Sequence, residues 1–572
     1  MINAMTLPEY VCISDIAVWD GFLPVSSTVS GELNGQVSQN FDSDFFLISE
    51  SVNGNAISYD YDNDGLLIRA GNLNLSHENA SGLLGSSTLG TVAETISYNA
   101  FAEPQNRQIQ VNGSPILAFD YDRDKLGRID TLTETLGGSE VALDYAYDLA
   151  GRLVEVQQNG TAIETYAYDA NSNRIQSSTA AGTINYTYDD QDRLIEATRT
   201  GGTTTYAYNN AGDLQSKTTA SATTSYYYDA AGNLRTVTLP DSTEIEYLID
   251  GLDRRVGKQV NGELIKGWLY RDLLNPFAEL DGDGNVLSRF VYGEQPNVPA
   301  YMIRDGKTWR IVSDHLGSPR LVIDTETGEI IQQMSYDTFG RVIEDSNPGF
   351  QPFGFAGGLY DHDTGLVRFG ARDYDPETGR WTAKDPIRFA GGDTNLYAYV
   401  LNDPVNLIDP LGLFCISEST INIIAAGAGG ATAGAFSGTL LGVLAGAAIG
   451  AGAEFTAQSL SIEGTGPIIG GIAGAAGGNT LASRIGGATG GFITSELAST
   501  GMNATSDFRD TFAGALGGFI GGISGALFDR GRLDLFRAGR IGLFAGIAGG
   551  LTSDFTRGIL NELSDCEGEM CE

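Results

Sequence analysis

At 572 residues the chain is long enough for two or more domains and a large buried core. A net charge of −38 argues against a nucleic-acid-binding body, because phosphate affinity comes from Lys and Arg; it favours solubility or a basic partner. With 76 Gly but only 16 Pro the chain is neither collagen nor a low-complexity linker, and four Cys are too few for a disulfide scaffold.

The start, MINAMTLPEYVCISD, has no basic stretch followed by an apolar run. No cleavable secretory signal is expected there. The expected location is cytoplasmic, followed by export through a dedicated machine, unless the start is a truncation. Cys12 stands alone, Cys415 lies just beyond Leu413, and Cys566 and Cys571 are near the end. They read either as unpaired thiols or as a redox bridge near the tail. No metal and no cofactor are expected, since the tail has no His and few Cys.

Residues 1 to about 300 carry a repeat, Tyr-x-Tyr-Asp-x-x-Gly-Arg/Asn-Leu. Its second Tyr falls at Tyr147, Tyr168, Tyr188, Tyr208 and Tyr228, a period of about 20 residues. Weaker copies stand at Tyr59 to Leu66, Phe119 to Ile129 and Tyr247 to Arg255. Tyr-x-Tyr and the Thr runs favour strands with period-two alternation. Asp-x-x-Gly supplies a tight turn, with Gly at positive φ. Each unit is therefore a hairpin that must pair with its neighbours into a continuous sheet. This part is expected to be scaffold and to carry no catalysis.

From Ala371 to Leu413 the sequence is dense in Tyr, Asp, Pro and Gly, and holds Asp373, Asp375, Asp385, Asp393, Asp403 and Asp409. Two close carboxylates can hydrolyse a peptide bond when one is ionised and the other protonated. Asp373 to Trp381 reads as strand, turn, strand, which can bring positions on either side of Gly379 face to face. Asp375, Asp403 and Asp409 precede Pro, as turn residues do. On residue type alone, all six acids also fit turns and caps, and His315 and His362 read as turn or shell residues.

The Tyr-Asp repeats, the segments Asp314-His315-Leu316-Gly317-Ser318-Pro319-Arg320 and Tyr336-Asp337-Thr338-Phe339-Gly340-Arg341, and the stretch Ala371 to Leu413 together resemble the Rhs/YD-repeat polymorphic toxin family. The resemblance covers roughly residues 50–413. It implies a mainly β fold with a spiralling hairpin shell over residues 1–300; family shells are usually longer, so this one is expected to be the C-terminal part of a larger shell. An Rhs-associated core at 301–413 would follow, and a variable C-terminal effector at 414–572. It further implies aspartyl self-cleavage by Asp373 and Asp385, tuned by Arg372, with the cut between Leu413 and Phe414. Enzyme activity would then be single-turnover autoproteolysis at most. The implied partners are a cognate immunity protein and a secretion-system component.

The tail, 414–572, has seven Arg, fourteen acids and no Lys or His. The missing His argues against His-dependent hydrolases and nucleases. Gly430, Gly434, Gly438, Gly442, Gly446 and Gly450 recur at every fourth position. That spacing puts small residues on one helix face, where backbones approach closely. The 35 uncharged residues between Glu418 and Glu454 exceed the ~20 that cross a bilayer. A mostly α-helical, membrane-inserting effector acting on a target-cell membrane is the leading expectation. A soluble Gly-rich helical domain packed with the shell, an enzyme with an unrecognised site, and a Gly-rich β or disordered tail stand as alternatives. So does a purely structural repeat scaffold with no cleavage.

Overall fold

The computed structural model describes residues 13–413, apart from residues 22, 221, 294 and 392. Phe414, the Gly430–Gly450 series and the expected helical tail lie outside the described residues. The described chain is mainly β, and its helical elements are three short 3-10 turns: Phe355–Gly357, Arg388–Gly391 and Val400–Asn402.

The repeat explains the sheet. Asp148 Oδ1 accepts the backbone N–H groups of Ala150 (2.9 Å) and Arg152 (3.0 Å), which fixes the hairpin turn. Gly151 sits at φ +86° in that turn. Where the sequence has Ser172 or Asp192 instead, the backbone keeps φ of 64° and 59°, so the turn imposes the conformation and the residue tolerates it. In five successive copies the register slips between the residue before the second Tyr and that Tyr, from Ala146/Tyr147 to Tyr227/Tyr228. Such bulges add twist at each turn.

Adjacent repeats are also locked side chain to backbone. The Tyr147 hydroxyl donates to the Ile129 carbonyl (2.8 Å), Tyr168 to Leu153 (2.7 Å) and Tyr188 to Arg174 (2.8 Å). The turn arginines stack on the next Tyr: Arg128 lies 4.3 Å over Tyr147 and Arg152 4.8 Å over Tyr168. The second Tyr of these three copies therefore closes a contact to the repeat before it. Tyr188→Phe is expected to cost about 1 kcal/mol, the worth of one such bond, read as a shift in the urea midpoint.

The strands run as one meander of 32, from Ile13–Asp20 to Val342–Asp345, each antiparallel to the strand before and after it. The sheet thus continues through residue 300, and the segment after Asp345 is built differently. Early strands pack on late ones. One apolar cluster joins Val29, Leu47 and Leu67 to Phe277, Phe290 and Met302, and a second joins Ile109, Phe119 and Leu132 to Leu321 and Phe339. Polar contacts follow the same pairing: Gln39 donates to the Arg271 carbonyl, 232 residues later. Glu94 is buried between Arg107 and Arg310; burial pushes its carboxyl up, but the two guanidiniums outweigh it and hold it at about 2.

Candidate active site

A four-stranded sheet, Leu359–Tyr360, Val367–Phe369, Arg372–Asp375 and Arg380–Trp381, carries the acid-rich segment. Its aromatic side chains Phe369, Tyr374 and Trp381 pack with Tyr399, from the segment that follows, into one cluster. From there the chain runs along the row of repeat turns. Tyr397 donates to the Gly212 carbonyl (2.7 Å), Asn395 to the Asn171 carbonyl (3.2 Å), Asn402 to the Ser172 carbonyl (3.0 Å), and Asn406 to the Tyr147 hydroxyl (2.8 Å). The Asn-rich spacing of this segment supplies amide donors at the places where turn carbonyls face it.

Strand alternation divides the site into two faces. On one face, Arg372 stacks 4.1 Å over Trp381 and reaches Asp385 Oδ2 at 2.9 Å and Asp409 Oδ2 at 3.2 Å. The Arg372 Nε donates to the Gly412 carbonyl. The Leu413 N–H donates to Asp409 Oδ1 (3.3 Å), and the Ala371 N–H donates to the Leu411 carbonyl (2.9 Å). Asp409-Pro410-Leu411-Gly412-Leu413 is thereby laid against Gly370 and Arg372. Gly370 has no substitute, since a Cβ there would come 2.2 Å from the Leu411 oxygen. A Cβ on Gly391 would lie 2.9 Å from Asp385 Oδ2 and 3.0 Å from the Leu413 carbonyl oxygen, so both flank one backbone position. Burial pushes the Asp385 carboxyl above the usual range, outweighing Arg372, and pulls the Arg372 guanidinium below its own. A cavity of about 20 Å³, lined in part by Arg372, Asp385, Asp393 and Asp409, adjoins them.

On the other face, Asp373 is held by Arg255 (2.7 Å) and Arg368 (3.0 Å), with its side chain fully buried. The predicted residues are thus distributed: Arg372 and Asp385 meet at Leu413, while Asp373 belongs to a separate ion cluster. Asp375 is buried, which raises its carboxyl, near Lys217 and Glu377. Asp403 caps Asn406 and is pushed up by burial to about 6. Asp409, which reads from sequence as a turn residue, lies inside the site. His315 is buried against Tyr121, with Nε2 2.7 Å from the Val405 carbonyl oxygen. Ligand atoms of Asp361, His362 and Asp363 lie within 4.8 Å of one another, but Lys258 Nζ already binds Asp361 and Asp363, each at 2.6 Å. The donor set is therefore satisfied by an ammonium and does not fit a metal.

The profile of the Teneurin YD-shell family matches residues 25–405, and the chain belongs to that family. Teneurin-1 of Gallus gallus is 31% identical over 179 residues, 30% of this chain and 7% of that protein. Toxin protein Tse5 of Pseudomonas aeruginosa is 38% identical over 121 residues, 21% of this chain and 9% of that protein. The chain spans less than a tenth of the length of these curated relatives. The crystal structure of TcdB2-TccC3-Cdc42 aligns over 71% of this chain and 28% of its own, at 15% identity and a TM-score of 0.34.

Proposed function

We propose that this is an Rhs-type toxin protein that hydrolyses its own Leu413–Phe414 bond and so frees the segment that follows. The observation that carries the reading is the gathering of Asp385, Asp409 and the Gly412 carbonyl on Arg372, with the Leu413 carbonyl beside Asp385. The named toxin Tse5, similar over 121 residues, supports the toxin class. In the reaction, the ionised carboxylate takes a proton from water as the oxygen attacks the Leu413 carbonyl carbon. The protonated carboxyl gives its proton to the departing Phe414 nitrogen as the C–N bond breaks. The geometry favours Asp409 over Asp373 as the partner of Asp385, because Asp409 and Asp385 share one guanidinium and both contact or flank Leu413. The 20 Å³ cavity has room for one water. Arg372 would also polarise the backbone next to the bond by its link to the Gly412 oxygen.

The segment 414–572, with its glycine spacing from Gly430 to Gly450, is the freed effector in this reading, and its action is insertion into a target-cell membrane. An immunity protein and a secretion component are its proposed partners. Intact mass of the purified chain tests the reading directly. A break after Leu413 is expected, and the fragment from Phe414 is expected to release dye from liposomes. An unbroken wild-type chain removes the protease assignment. A broken chain whose fragment leaves liposomes sealed removes only the membrane action.

A further inference from the structure

Behind the Asp373 face lies a second cavity, of about 40 Å³. The charged residues among its lining side chains are Arg254, Arg255 and Arg368; no acid lines it. Arg254 is matched by Asp250 (2.7 Å) and Asp15 (2.5 Å). Arg255 and Arg368 both contact the one carboxylate of Asp373, and Arg255 also lies over the Tyr247 ring and near Asp361. The two arginines are 3% and 4% exposed, and the Nε–H of each is buried without an acceptor. Buried guanidinium donors without an acceptor are costly. Burial pulls Arg368 below its ordinary value against the pull of Asp373, with Arg255 adding repulsion. The remaining wall is apolar or amide: Tyr270, Leu274, Asn297, Phe353 and Pro410 among others.

We propose that this cavity is a binding site for one small monovalent anion, chloride by size, held between Arg255 and Arg368. The volume fits a monatomic ion or two to three waters and excludes a phosphate with its shell or an organic acid. The two buried Nε–H donors without an acceptor favour an ion that accepts from both over water, which brings donors of its own. The site is independent of the cleavage chemistry, although Gly370 and Pro410 in its wall join it to the Leu413 segment.

The test uses the full chain at constant ionic strength, exchanging sodium gluconate, too large to enter, for sodium chloride. The thermal midpoint is expected to rise with chloride and to saturate, by roughly 2 °C or more once chloride is tenfold above its dissociation constant. Asp373→Asn removes the competing negative charge and is expected to make the chloride rise larger, while Arg368→Gln abolishes it. A ³⁵Cl line broadened by the wild-type protein, and narrowed by excess bromide, supplies a readout that needs no variant to fold. Identical melting curves in chloride and gluconate, with an unbroadened ³⁵Cl line, would overturn the proposal and assign the cavity to water. A rise in midpoint of equal size in wild type, Asp373→Asn and Arg368→Gln would overturn it too, by placing the chloride elsewhere.

Discussion

Asp373→Ala is expected to lower stability by about 3–5 kcal/mol, the cost of removing one partner from a buried ion pair. The Asp373 side chain is fully buried, and its two oxygens are divided between Arg255 and Arg368. Truncation leaves both guanidiniums enclosed with no carboxylate in contact. Arg368 keeps its bonds to Asn233 and the Asp253 carbonyl, so its geometry survives while its charge stands uncompensated. Asp373→Asn, which retains the shape and one acceptor, is expected to lose less. Urea unfolding followed by Trp268 and Trp309 fluorescence measures both. An alanine variant as stable as the wild type would mean that the two arginines are neutralised by something other than Asp373.

Asp385→Asn is expected to slow self-cleavage by about 100-fold or more, the usual worth of a general acid or base. Asp409→Asn should do the same, and the double variant no worse than either, because a dyad acts as a unit. The amide keeps an oxygen acceptor for Arg372 and removes the ionisable group, and the other carboxylate stays on Arg372, so stability should change less than in Asp373→Ala. Cleavage should also fail at high pH. Burial raises the Asp385 carboxyl, which lets the pair retain one proton above the ordinary carboxylate range, and deprotonation of both ends the reaction. Time courses by mass spectrometry, started from denatured precursor, separate the variants. Cleavage at the wild-type rate in Asp409→Asn, with loss in well-folded Asp373→Asn, would return the second carboxylate to Asp373.

The repeat array was legible because its signals are local. Tyr-x-Tyr, Asp-x-x-Gly and a 20-residue spacing are enough to place strands and turns, and these are the strands and turns observed. The residues of the candidate site were legible one by one, but their grouping was not. Arg372 and Asp385 could be named from the motif they resemble, but nothing within the segment says that Arg255, 118 residues earlier, meets Asp373. Adjacent residues of a strand face opposite ways, so the sequence itself puts Arg372 and Asp373 on different faces of Arg372–Asp375. That alternation was the available signal. The Asp-Pro rule did not discriminate either. Asp409 precedes a proline, as turn residues do, yet Asp385 precedes Pro386 as well. A turn acid and a site acid are the same residue type at a sharp bend, and only the partners gathered from distant turns tell them apart.

The contacts between the last described segment and the repeat turns also impose an order in time. Asn406 needs Tyr147, Asn402 needs Ser172, Tyr397 needs Gly212 and Asp373 needs Arg255, and all of these partners precede it in the chain. A ribosome makes the partners first, and each hairpin can pair with the one just completed. The residues around Leu413 are then drawn together last, on a surface already finished. A nascent chain with a misfolded repeat between Tyr147 and Arg255 would lack part of that surface, so the arrangement at Leu413 depends on those repeats having folded.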